Sequence, residues 1–123
     1  MTPRISKMAV DELLSDFLSF VDQRMEAVRA IDVPKINRHV LKISAVGDAL
    51  SATTAGRAEL ERLLSHPIVY VQVAAAAAMM KWAPEKAIPL FGVLLDADLT
   101  AISSPDERLD IRTTAKHLAP RAF

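Results

Sequence analysis

The stretch Ile68-Val69-Tyr70-Val71-Gln72-Val73-Ala74-Ala75-Ala76-Ala77-Ala78-Met79-Met80 decides the fold. Its first half is β-branched or aromatic at every position but Gln72, which is strand composition. Its second half is five consecutive alanines, the strongest helix formers. A strand needs a partner, and no other run in the chain has the same character. The stretch therefore reads as a helix over about 68–83, opened after His66-Pro67. Stepping 100° per residue puts Ile68, Val71, Ala75, Ala78, Met79 and Trp82 on one side and Val69, Val73, Ala76 and Met80 on another. A helix apolar on two sides is either enclosed by its neighbours or offers one side to a partner.

Outward from this helix the pattern stays helical. Residues 8–30 hold no Gly or Pro and place Val10, Leu14, Phe17, Val21, Met25 and Val28 at one helical period. Asp32-Val33-Pro34 ends that helix and starts another over about 34–51, with Ile36, Val40, Ile43, Gly47 and Leu50 as its apolar seam. Lys35, Arg38, His39 and Lys42 fall at i, i+3, i+4 and i+7 and predict a basic stripe beside the seam. Asn37 sits in the same helix, with contact to a neighbouring loop as its expected role. Ser51–Gly56 reads as a loop, followed by a helix from about Arg57 to Ser65 that buries Leu60, Leu63 and Leu64. His66 then falls where a cation meets that helix's C-terminus. Pro84 opens a helix to about Ala97 with Ile88, Phe91, Leu94 and Leu95 inward. Ser104-Pro105-Asp106-Glu107 is a start signal for a last helix ending near Ala119. The expectation is six helices and no strand.

The chain has 123 residues, 51% of them hydrophobic and 24% charged, which suits one folded domain over 1–123. Fifteen Lys and Arg against fifteen Asp and Glu leave no net charge, which argues against a dedicated nucleic-acid or anionic-membrane binder. The absence of cysteine excludes disulfides, Cys-ligated metals and thiol catalysis. No apolar run is long enough for a membrane span, and acidic residues from Asp11 onward interrupt any signal-like start, so a cytoplasmic location is expected.

Chemistry-bearing groups are sparse. His39, His66 and His117 lie on separate predicted elements, with no metal-ligand spacing among them. Asp96, Asp98, Asp106, Glu107 and Asp110 make an acidic region that capping and solvation explain better than a cation. No catalytic residue, metal or cofactor is assigned, and the chain is not expected to be an enzyme.

Two segments repeat. Val71-Gln72-x-x-Ala75-x-x-Ala78 and Ile111-Arg112-x-x-Ala115-x-x-Leu118 match at an offset of about 40, the HEAT and armadillo range. Gln72 stands where the HEAT pattern usually has Arg. Gly56-Arg57, Leu63-Leu64-x-His66-Pro67, Ala75-Ala76 and Ala83-Pro84-Glu85-x-Ala87, with Asp32-x-x-Lys35-x-Asn37-Arg38 upstream, resemble a small bacterial HEAT-like family, domain of unknown function 2019. The resemblance covers about residues 10–95. It implies an all-α, HEAT/armadillo-like α–α superhelix, with 8–52 as an N-terminal hairpin and 56–120 as two repeats. It transfers no catalytic residue.

The expected function is protein binding, as a bacterial adaptor or inhibitor, an immunity-type protein being one form by resemblance. The expected partner surface is Lys35, Arg38, His39 and Lys42 together with Val69, Val73, Met80 and Trp82. The chain is expected to be a monomer or weak homodimer. The alternative is a HEAT-like nucleic-acid-binding or DNA-repair-type enzyme. That reading requires Lys35, Arg38 and Lys42 to line a concave groove holding a carboxylate and an aromatic.

Overall fold

The computed structural model of the chain describes residues 9–96 and 105–118, with side chains described over 9–94 and 109–116. Six helices follow one another: α1 (Val10–Arg29), α2 (Val33–Ser51), α3 (Thr54–Leu63), α4 (Val69–Met79), α5 (Pro84–Asp96) and α6 (Pro105–Leu118). No strand occurs among the described residues, and Ile68–Val73 is helical from Val69 onward. The alanine run outweighs the strand-prone residues before it. Ile68 alone stays extended and caps the helix.

Local chemistry fixes each boundary. The Ile31 amide donates to the Val28 carbonyl at 3.1 Å and the Asp32 amide to the Ala27 carbonyl at 2.9 Å, the paired bonds of a Schellman stop. The Asp32 carboxylate then accepts the Lys35 amide at 3.2 Å and starts α2, so one residue serves both helices. The loop expected over Ser51–Gly56 is shorter than its composition suggests. Thr53 Oγ1 accepts the Gly56 amide at 3.0 Å, so α3 begins at Thr54. His66 is engaged through its side chain with the start of α4. Its Nδ1 accepts the Ile68 amide at 3.0 Å, and its carbonyl accepts Gln72 Nε2 at 2.6 Å, so it organises the start of α4.

Packing follows from two close approaches. Gln23 meets His39 and Phe17 lies beside Gly47, so α1 and α2 run antiparallel. Gly47 also faces Ala78, and Lys81 and Trp82 reach Asp48 and Ser51, so α2 and α4 run parallel. Phe17, Leu50, Leu60, Met79 and Phe91 are fully enclosed at the centre. α1 and α4 each pack against both α2 and α6.

The repeated segments occupy matching environments: Val71 and Ala75 are buried in α4, as Ile111 and Ala115 are in α6. The seam expected on α2 is rotated. His39, Val46, Gly47 and Leu50 face the core, Ile36 and Ile43 are half-buried, and Val40 is turned out. On α1, Leu13 is buried while Leu14 is half-buried.

Candidate functional site: an apolar groove

The rotation of α2 and the packing of α6 on α1 leave a groove of about 320 Å³ between α2 and α6. Its floor is the outward side of α4, where Ala74, Ala77 and Ala78 present only methyl groups. Val40, Ile43 and Ser44 of α2 form one wall, and Ile111 and Thr114 of α6 contribute to the other. Small residues on the floor and β-branched ones on the walls make a concave, largely apolar surface.

Both ends carry ion pairs. Arg24 Nη1 and Nη2 donate to the two Asp110 carboxylate oxygens at 2.8 and 3.1 Å, and the guanidinium lies 5.7 Å from the Tyr70 ring centre. At the other end Lys81 Nζ donates to Asp48 Oδ1 at 3.0 Å. The groove is thus lined by apolar groups and bounded by matched charges.

The apolar surface extends past the groove. Val33, Val40 and Leu41 are 55%, 42% and 72% exposed. By 100° steps Val33, Asn37, Val40 and Ser44 share one side of α2, with Leu41 and Asp48 beside them. Asn37 is exposed on this groove side and not turned toward a loop.

The residues expected to bind a partner are scattered. Lys35, Arg38 and Lys42 lie on the flank of α2 away from the groove, and none of them lines it. Lys42 Nζ sits 5.5 Å from the Phe20 ring centre. His39 is a correction to the predicted stripe: it is 4% exposed, with Nδ1 at 2.9 Å from the Lys35 carbonyl and Nε2 at 2.8 Å from Gln23 Oε1. Through these two contacts the ring joins α1 to α2. The expected surface on α4 closes as well. Val73 is buried at the groove edge, while Val69, Met80 and Trp82 pack against the core. Trp82 Nε1 donates to Ser51 Oγ at 3.0 Å, and the Arg57 guanidinium lies 5.0 Å from its ring. The open side of α4 is the alanine side.

Lys86 is held above the usual lysine value by its hydrogen bond and charge pairing with Glu61, at 2.7 Å on the exposed face between α3 and α5. Among the described residues no buried side-chain nitrogen or oxygen lacks a partner, and no three His, Asp or Glu gather as a cation would require. Of the acidic region, Asp110 is spent on Arg24; Asp98 lies outside the described residues, as do the side chains of Asp96, Asp106, Glu107 and His117. No described helix is long and apolar enough to cross a membrane.

Sequence reading missed Arg24, Asp48, Ala77, Lys81 and Asp110 as site-forming residues. The available signal was the alanine run: methyl groups all round a helix mean that whichever side is left uncovered becomes a shallow floor.

No family model matches the chain, and no curated protein matches it. Its fold is similar to the crystal structure of the protein RPA1889 from Rhodopseudomonas palustris, with a TM-score of 0.71 at 20% identity. The likeness covers 97% of this chain and 95% of that one. At that identity the shared property is the all-helical fold.

Proposed function

We propose that this chain is a non-catalytic protein-interaction module, an adaptor or inhibitor that receives its partner in the groove between α2 and α6. The observation that carries the reading is the joining of an apolar concavity to the exposed Val33–Val40–Leu41 side of α2, one continuous apolar surface of the kind a partner covers. A HEAT-like superhelix suits this use, because its second helices line one concave side. The parallel α2 and α4 and the matched burial of α4 and α6 support that architecture and kinship with domain of unknown function 2019. An immunity-type inhibitor and a bacterial cytoplasmic setting remain the form this proposal takes.

The nucleic-acid reading finds less support. Its three cations stand on the far flank of α2, and both groove carboxylates are paired. The test is photocrosslinking in the organism of origin from a benzoylphenylalanine placed at Ala77, with Arg38 and Val93 as controls. The proposal expects a protein adduct from Ala77 alone. Adducts only from Arg38, or salt-sensitive retention of DNA or RNA, would overturn it.

A further inference from the structure

We infer that the element received by the groove is one amphipathic helix of another protein, about three turns long and docked antiparallel to α4. This rests on the groove reading above and names its occupant.

The dimensions come first. From Tyr70 to Lys81 the floor helix rises about 16 Å at 1.5 Å per residue, which is three turns of a second helix. A space of about 320 Å³ admits about three aliphatic side chains, those at i, i+4 and i+7 of a single face. An alanine floor allows the closest of the usual interaxial distances, about 8 Å. A docked helix would lie between α2 and α6 as a further rod of the bundle.

Charge sets the direction. α2 and α4 run parallel, so their C-terminal ends lie together at the Asp48–Lys81 end, and a helix N-terminus is attracted there. Lys81 and Asp48 are exposed at 70% and 54%, so their pair is weak and its ammonium can be shared. An acidic residue in the incoming first turn therefore meets Lys81. The other end holds the bidentate Arg24–Asp110 pair, at 17% and 25% exposure, which leaves no unpaired charge for the occupant's apolar face to meet.

The experiment is a selection from displayed segments of about 16 residues, half patterned with the helical period and half with alternation. The full chain is the bait and Ala77→Phe, which fills the floor from an exposed position, is the counter-bait. Val40→Glu replaces it if Ala77→Phe lowers the melting temperature. Supporting clones carry aliphatic residues at i, i+4 and i+7 with Asp or Glu in the first turn. They bind Ala77→Phe and Lys81→Glu at least about tenfold more weakly. Enrichment of alternating segments, binding unchanged by Ala77→Phe, or indifference to Lys81→Glu overturns the inference. A dimer in sedimentation that Ala77→Phe dissociates also overturns it, by placing a second copy in the groove. Should Ala77 still crosslink a host protein while no helical pattern is selected, the groove reading stands and the helix falls.

Discussion

Ile31 stands just past the C-cap of α1 with φ of 54°, a left-handed conformation that costs a β-branched residue about 1–2 kcal/mol. Its side chain is 67% exposed, so burial does not offset that cost. Asn tolerates the same backbone. Ile31→Asn should therefore raise stability by about 1 kcal/mol, seen as about 4 °C in a thermal melt. A lower melting temperature would show that the Ile31 side chain is held by contacts of its own. Gly56 presents the opposite case. A β-carbon there would lie 2.7 Å from the Leu50 carbonyl carbon and 2.8 Å from its α-carbon, backbone atoms that cannot swing aside. Gly56→Ala should destabilise by about 3 kcal/mol in urea unfolding, with the slope unchanged. Lys86 gives the mild extreme. Its raised value means that its pairing with Glu61 is present in full below pH 10.5 and lost as pH climbs through the folded-state value. Because the pair is exposed, Lys86→Gln should leave the melting temperature almost unchanged at neutral pH, and any difference from wild type should vanish in alkali.

Among the helices, α2 shows where hydrophobic periodicity reaches its limit. The apolar seam through Ile36, Val40, Ile43, Gly47 and Leu50 predicts the helix correctly, and it predicts its orientation only to within about half a residue step. Two features displaced it. Gly47 lets α2 press on Phe17 and Ala78, and Gln23 offers His39 a polar partner inside the α1–α2 contact. A histidine four residues after Lys35 looks like part of a surface stripe until a polar side chain from another helix is placed against it, and no spacing along one chain reveals that partner. The same rotation sends Val40 outward and creates a groove wall, so the site was less legible than the fold. Caps were better marked, because Asp32 and Thr53 each act on an amide only three residues away. Asp32→Ala removes the N-cap of α2 at the junction where α1 stops. It should cost about 1 kcal/mol, with faster amide exchange confined to the first turn of α2.

The whole molecule closes on itself through a contact that the repeat pattern does not contain. Stacked hairpins meet their neighbours, which predicts α4 against α2 and α6 against α4. The return of α6 to α1 is an additional contact, and the Arg24–Asp110 pair bridges 86 positions to make it. Matching periodicities cannot supply such a pairing, because it depends on the accumulated rotation of every hairpin between. Its energetic part is limited by exposure of 17% and 25%, while Ile111 and Ala115 provide the apolar share. Breaking one partner leaves a half-buried charge facing an apolar groove. Asp110→Ala should therefore cost about 1–2 kcal/mol and speed amide exchange in α6 more than in α4. Replacing both partners, Arg24→Met with Asp110→Leu, should recover most of that loss, since it leaves no charge behind. If the double variant is as unstable as the single one, the pair's alignment rather than its charge balance holds α6 in place. Crosslinking from Ala77 would then have to be repeated in that variant, because a displaced α6 removes one wall of the groove.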